Sequence, residues 1–527
     1  MCRCLAVGGD GEVMMAEVQQ AFSQVFLDPV IWLIVIGAAV YGIFLGAMPG
    51  LTATMGVALF VPITYWMDPV PALAAIVTMV ACAIFAGDIP TTLMRVPGTP
   101  ASAAYADDAY SLAQRGRANQ ALFGALWFSV CGGLFGGILL MLVGHQLAAL
   151  AALFSVAEYF WLYLMGLSCA VVVGKEGTLR SGIGLLIGLF FSTVGLSAVF
   201  GEARFTFGHP ELFQGINFIP AMIGLFGLSE VLRGVMGSGS VSSTEVAQDS
   251  EQGVFLSTVK SFARRQGAWW RSSLLGAVIG ALPGAGADMA AWVCVSVSKR
   301  FSKTPEDYGR GSSEAIADAC SGNSSSLAAA WVPALVFGIP GDSVTAIAIG
   351  VLYMKNLQPG PEIFEQQGAL VYSLYFLFLL ANVVMLPIGW LAIRASRQVL
   401  RVPRWILLPV ITLFCVVGSF AVNGSRFDIA LMLAFGLLGV VCERYRISIG
   451  AMVLGLILGG PLEERFVQTL AGSQGSWTGF FDRPVAFMLS ILCVLVWGRV
   501  FWKSFFADGV EDRLTEQLGS TPTEEGG

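Results

Sequence analysis

Charge is what this sequence has least of. Only 12% of its 527 residues are charged, while 56% are hydrophobic, against roughly 25% charged in an ordinary soluble domain. That balance excludes a string of soluble domains. Lysine and arginine are missing altogether between Arg3 and Arg95. Histidine is nearly absent: His145 and His209 are the two present, and both read as structural rather than catalytic. No His-Glu-x-x-His occurs for a zinc site. The ten cysteines lie mostly singly in apolar segments, at Cys82, Cys131, Cys169, Cys294, Cys415, Cys442 and Cys493. They read as small buried hydrophobes, and Cys2-x-Cys4 is too short a pair to hold a metal. The net charge of −6 is spread over loops and a tail, so no basic surface invites nucleic acid. What remains is apolar. Runs of about 20 residues follow one another from Ile31 to Phe505, each enough to cross ~30 Å of hydrocarbon. These predict an all-α polytopic membrane protein in a lipid bilayer, with about 10–12 transmembrane segments or half-spans.

Residues 1–28 are mixed and weakly patterned, without the apolar run of a signal peptide, and Met14 and Met15 offer alternative starts. A first membrane half is expected over 29–237. Residues 238–265 form a linker rich in Ser, Gly, Glu and Asp that turns basic at Lys260, Arg264 and Arg265. A second membrane half follows over 266–505, and 506–527 is a polar, acidic tail with the composition of a disordered segment.

The two halves share a motif that a spanning helix would avoid. Gly46-Ala47-Met48-Pro49-Gly50-Leu51-Thr52-Ala53-Thr54-Met55 returns as Gly280-Ala281-Leu282-Pro283-Gly284-Ala285-Gly286-Ala287-Asp288-Met289, with six of ten positions identical. Proline removes a backbone donor and glycine frees φ, so a helix breaks there. Within a bilayer, freed backbone groups are tolerated only where protein or a wet cavity receives them. A second pair of breaks has matching spacing: Pro90 then Pro97-Gly98, and Pro333 then Pro340-Gly341, with six residues between the prolines in both. Breaks in corresponding positions of two halves are the best sequence pointer to a transporter's site. The flanks differ in sign. The first break lies between Asp28 and Asp68, whereas Ser272–Ser298 lies between Arg271 and Lys299-Arg300-Lys303. The positive-inside rule puts the second pair of flanks in the cytoplasm and the first outside, predicting inverted repeats with re-entrant hairpins. The alternative is one long kinked helix at each break.

Each break starts a new half-helix whose first N–H groups lack partners and whose dipole favours an anion such as a carboxylate. Gly50, Gly98, Gly284, Gly286 and Gly341 would present backbone there. Thr52, Thr54, Thr99, Ser102 and Ser343 put hydroxyls beside three breaks, and Asn323-Ser324-Ser325-Ser326 adds a polar run before an apolar one. A single hydroxyl in a membrane helix more often bonds its own preceding turn, so the clustering carries the argument. Arg95 reads either as a planar fork for a substrate carboxylate, as a partner of Asp88, or as a side chain reaching to the interface. Asp88, Asp288 and Asp342 read as holders of a coupling Na⁺, as proton carriers, or as half-helix caps.

These residues resemble the large membrane subunit of the tripartite tricarboxylate transporters. The resemblance rests on Gly46-x-x-Pro49-Gly50-Leu51-Thr52, Val96-Pro97-Gly98-Thr99-Pro100-Ala101-Ser102, Gly280-Ala281-Leu282-Pro283-Gly284-Ala285-Gly286, Gly338-Ile339-Pro340-Gly341 and Leu357-Gln358-Pro359-Gly360-Pro361. It implies a bacterial inner-membrane importer of organic carboxylates, not an enzyme, with no cofactor and with Na⁺ or H⁺ as coupling ion. It also implies two partners: a small four-helix membrane subunit and a periplasmic substrate-binding protein. The chain departs from the pattern at Gly322-Asn323, where a paired Asn is expected, and at Ala319, where an acid is expected beside Asp318. Asp88 and Arg95 replace small or uncharged residues of the citrate-type members, so citrate is not implied as substrate. Among rival classes, an intramembrane aspartyl protease needs a Gly-x-Gly-Asp that Gly284-Ala285-Gly286-Ala287-Asp288 does not supply. A passive anion channel remains the other alternative.

Overall fold

The computed structural model describes residues 7–48, 51–173, 177–197, 201–236, 258, 260, 265–283, 286–399 and 404–502. They are helical almost throughout. A single two-residue ribbon, β1 (Gly195–Leu196) against β2 (Ala203–Arg204), is the exception among them. Five helical stretches are long and apolar enough to cross a membrane: Pro29–Gly46, Pro69–Met94, Ala118–Ala151, Phe218–Met236 and Gly368–Ser396. Shorter apolar helices, among them Ala53–Tyr65 and Ser343–Met354, fill the space between. Exposed Leu, Val, Ile and Phe cover the outside, as lipid contact requires. This is the architecture of a polytopic membrane protein.

The first helix among the described residues is α1 (Val7–Phe22), within the segment whose sequence is weakly patterned. Ala21 and Val25 are buried. Phe22 and Phe26 meet Phe376 edge-on at 5.9 and 5.8 Å between centroids, so apolar contact with a later helix orders the segment. The linker at 238–265 and the tail at 506–527 fall almost wholly outside the described residues.

In the first half, α2 (Pro29–Gly46) starts at Asp28, whose carboxylate accepts from Val30 N at 2.8 Å with Pro29 at the first helical position. After the break, α3 (Ala53–Tyr65) is capped by Thr52, α4 (Pro69–Ala86) follows, and α5 (Asp88–Met94) continues almost directly. Then come the amphipathic α6 (Ala106–Gln114), the 34-residue α7 (Ala118–Ala151), α8 (Val156–Val173) and α9 (Thr178–Ser192). The half ends in α10 (Phe218–Met222), a π-helical turn (Ile223–Leu228) and α11 (Ser229–Met236). In the second half, α12 (Gln266–Gly280), α13 (Gly286–Phe301), α14 (Ser313–Ala329), α15 (Trp331–Phe337) and α16 (Ser343–Met354) come first. They are followed by α17 (Pro361–Gln366), the 32-residue α18 (Gly368–Val399), α19 (Arg404–Asn423), α20 (Arg426–Arg444), α21 (Ile449–Gly472) and α22 (Pro484–Trp502).

The core is built by close approach of backbones at glycine. A Cβ on Gly42 or Gly46 of α2 would lie 2.3 or 2.0 Å from the carbonyl oxygens of Met79 and Ala83 on α4. On α12, Gly276 and Gly280 press in the same way on the carbonyl oxygens of Gly322 and Ser326 of α14, at 2.1 and 2.3 Å. A third seam joins the halves, where Gly132 and Gly136 of α7 approach Ser321 and Ser325 of α14. Lipid tails are as apolar as leucine, so contact at short range rather than expulsion from water drives this association.

Gly46→Leu and Gly280→Leu therefore each destabilise the fold by about 1–3 kcal/mol, while Gly37→Leu, with nothing within 4 Å of the added Cβ, is neutral. Thermal unfolding of the three variants in detergent, followed by size-exclusion fluorescence, checks the ranking.

Candidate functional site

The breaks fold into paired hairpins whose tips converge. α12 and α13 run antiparallel: the Cys294 thiol donates to Ser272 O at 3.4 Å, and the Arg271 guanidinium lies 5.2 Å from the Phe301 ring centroid. Both ends of this pair are therefore adjacent, so α12 and α13 form a hairpin rather than one kinked helix. A network ties down its base. The guanidinium of Arg271 donates to Asp318 Oδ2 at 3.0 Å, Ser298 Oγ donates to the same oxygen at 2.5 Å, and Tyr308 Oη meets Ser298 Oγ at 2.6 Å. Arg265 pairs with Glu314 at 3.1 Å, and Ser302 donates to Glu314 as well. The loop that leads on to α14 is gripped from the first half. Asp108 Oδ1 accepts from the backbone N–H groups of Gly309, Gly311 and Ser312 at 2.8–2.9 Å, and Arg115 donates to Arg310 O at 2.7 Å. Burial pushes the Asp108 carboxyl above the usual carboxylate range, against the pull of those donors.

The second set of breaks has the same local construction in both halves. α5 ends at Arg95 with φ 56°, and α15 ends at Gly338 with φ 68°. The N–H groups of these left-handed residues return to Pro90 O and Pro333 O, respectively. Each chain then folds back across the helix junction behind it. A Cβ on Gly98 would come within 2.5 Å of Gly87 Cα, and one on Gly341 within 2.8 Å of Ala330 Cβ. The next helix is entered through a reciprocal cap. Thr99 N donates to Ser102 Oγ and Ser102 N to Thr99 Oγ1, both at 3.1 Å. In the other half, Asp342 N donates to Thr345 Oγ1 at 2.9 Å and Thr345 N to Asp342 Oδ1 at 2.7 Å. That arrangement is a capping box.

Between the tips lies a cavity of about 540 Å³, within the ~300–1,000 Å³ of small-molecule sites. Thr52, Thr54, Thr99, Gly286, Asp288, Asp342 and Ser343 line it, so residues from all four breaks meet at one place. The remaining sequence-predicted residues lie elsewhere. Ser102 is fully buried and serves the Thr99 cap, also receiving Thr91 Oγ1 at 2.9 Å. Gly98 and Gly341 act as backbone crossings. Asn323 and Ser324 are buried within α14, and Asn323 Oδ1 has no hydrogen-bond partner. Gly50 and Gly284 lie outside the described residues. Arg95 does not line the cavity: it is exposed and pairs with Asp107 at 2.6 Å rather than with Asp88. Nor does Asp88, which is buried and receives hydrogen bonds from Tyr105 Oη and the Cys320 thiol of the second half. Of the three acids read as ion holders, Asp288 and Asp342 are together and Asp88 is apart.

Two expected anion sites are already occupied. The α3 N-terminus spends Met55 N–H on Thr52 Oγ1 at 3.2 Å, and the α16 N-terminus carries the Asp342 carboxylate. Sequence reasoning missed the opposite wall, where Ser229, Glu230, Arg233, Glu443 and Arg446 line the cavity. Glu230 and Arg233, three apart within the apolar stretch Phe218–Met236, carried a usable signal: charges inside a span face a cavity or a partner.

Two tests follow from this geometry. In a background freed of native cysteines, Thr54→Cys and Ser343→Cys react with a membrane-impermeant thiol reagent and Ser102→Cys does not; equal labelling of all three would contradict the cavity boundary. Arg271→Ala leaves the Asp318 carboxylate buried without its cation and lowers stability by about 3 kcal/mol, read as a lower midpoint of thermal unfolding, with Arg271→Lys retaining most of it.

Comparison with known proteins agrees with the motif pattern. Residues 31–454 match the model of the tripartite tricarboxylate transporter TctA family. The chain is 30% identical over 470 residues to an uncharacterized 52.8 kDa protein in the TAR-I ttuC' 3' region of Agrobacterium vitis, covering 89% of this chain and 92% of that one. A second Agrobacterium vitis protein, from the TAR-II ttuC' 3' region, is 30% identical over 224 residues, covering 42% of this chain and 93% of that one. No solved structure matches. With most of its length matched and its breaks converging on one cavity, the chain belongs to the tripartite tricarboxylate transporter TctA family and is a membrane-embedded transport component, not an enzyme.

Proposed function

We propose that this protein is the permease of a bacterial inner-membrane importer for di- or tricarboxylates, coupled to Na⁺ or H⁺. A periplasmic substrate-binding protein would feed it, and a small four-helix membrane subunit would accompany it. The carrying observation is the convergence of Thr52, Thr54, Thr99, Gly286 and Ser343 on one cavity with Asp288 and Asp342. Hydroxyls and capped helix starts suit a polar substrate held away from lipid. Two carboxylates in the same cavity oppose a polyanion unless a cation or protons enter with it, which is the physical case for symport. Asp288 and Asp342 are the residues that would receive the coupling charge.

We further read the two halves as inverted repeats. Support comes from the matched pairs Gly42 and Gly46 with Gly276 and Gly280, Arg95 with Gly338, and Gly98 with Gly341. The acidic flanks Asp28 and Asp68 against the basic flanks Arg271, Lys299 and Arg300 give the opposite orientation. On this topology, the wall carrying Arg233 and Arg446 lies toward the cytoplasm, so the cavity is in its inward-facing form. Transport would alternate by movement of the hairpin tips against the α10–α11 and α20 wall.

The test is uptake of labelled di- and tricarboxylates into cells expressing the chain with its small subunit, with and without the binding protein, in sodium and in sodium-free buffer. Accumulation that needs the binding protein and one of the two cations is expected. Equilibration without accumulation, indifferent to the binding protein, would make the protein a passive anion channel. Gly284→Leu, at the hairpin tip, is expected to abolish uptake while the chain still inserts; normal uptake by that variant removes the tip from the site.

A further inference from the structure

The cavity has to attract an anion, yet the elements expected to do so are neutralised or negative. The α3 start is closed by the Thr52 hydroxyl, the α16 start by the Asp342 carboxylate, and Asp288 adds a second negative charge. Positive charge at the cavity comes from two arginines, Arg233 and Arg446. Arg233 is committed: it is ion-paired with Glu230 one turn earlier on α11 and lies 3.9 Å from Glu443 at the end of α20. Arg446 is exposed, and no described carboxylate lies within ion-pair distance of its guanidinium.

The backbone marks the same residue. Arg446 has φ 55°, in the left-handed region, where the chain leaves α20 and Ile447 N returns to Cys442 O at 2.7 Å. Glycine is the usual occupant of such a helix end, and a Cβ there costs about 1–2 kcal/mol. Arginine at this position carries a backbone cost that glycine would avoid, and its side chain is what distinguishes the two.

We propose that Arg446 is the carboxylate-docking residue of the cavity. Its planar fork pairs with one carboxylate of a di- or tricarboxylate at the rim, while the hydroxyls of Thr52, Thr99 and Ser343 receive the rest of the molecule. This rests on the reading of the protein as a carboxylate permease. It also sets a specificity rule: a substrate needs one carboxylate for the rim and a further polar group for the tips, so monocarboxylates gain little.

The experiment measures binding of radiolabelled citrate, succinate and butyrate to the chain co-purified with its small membrane subunit in nanodiscs, in sodium buffer at pH 6, so that both candidate coupling ions are supplied. Wild type, Arg446→Gly and Arg446→Lys are compared, with thermal unfolding measured in parallel. Arg446→Gly is expected to fold at least as well as wild type, because it relieves the left-handed arginine. It is also expected to lose citrate or succinate affinity tenfold or more and to change butyrate little; Arg446→Lys falls between. Unchanged citrate and succinate binding in Arg446→Gly would overturn the assignment and leave the permease reading standing. An equal loss for all three probes would also overturn it, since charge pairing predicts a dependence on carboxylate number. A wild-type complex that binds neither citrate nor succinate would overturn the assignment, while the uptake assay decides the permease reading separately.

Discussion

A helix broken inside a bilayer has to satisfy the backbone groups it frees without water, and the rest of this structure depends on how that is done. At Arg95 and Gly338 a left-handed residue turns the N–H back to a proline carbonyl. At Thr99–Ser102 and Asp342–Thr345 the next helix starts through reciprocal side-chain and backbone bonds. At the first crossing Gly98 N donates to Thr91 Oγ1 at 3.2 Å, so that donor is satisfied where the chain passes Gly87. The same closures shape the chemistry: they place the Thr52, Thr99 and Ser343 hydroxyls and the Asp342 carboxylate at the cavity.

Much of this was legible in the sequence, because its signals are backbone signals. Proline and glycine punctuate a helix whatever surrounds them, so Pro49-Gly50, Pro97-Gly98, Pro283-Gly284 and Pro340-Gly341 mark the breaks from composition alone. Asp342 as a helix cap was an open alternative in the sequence, and the structure adopts it. What the sequence did not disclose is where side chains far apart in the chain end up. Arg95 looked like an intramembrane cation and is instead an exposed helix end paired with Asp107. Glu443 and Arg446, at the turn that leaves α20, line the cavity without any local signal for it. Residues 7–27 lack a membrane pattern but are ordered by Phe376, 350 positions from Phe26. No local pattern encodes such pairings.

Ion pairs also gather at the base of the second hairpin, away from the cavity. Asp318 collects Arg271 and Ser298, Glu314 collects Arg265 and Ser302, and Asp108 collects three backbone donors.

The Asp108 contact also imposes an order on assembly. Its partners, Gly309, Gly311 and Ser312, are about 200 residues further along the chain, and synthesis proceeds from the N-terminus. Asp108 on α6 is therefore synthesised well before the backbone donors that it accepts from in the finished fold. The first half cannot reach its final form as an independent unit. Its closure waits for the second half, because a chain truncated before Gly309 lacks all three donors to Asp108.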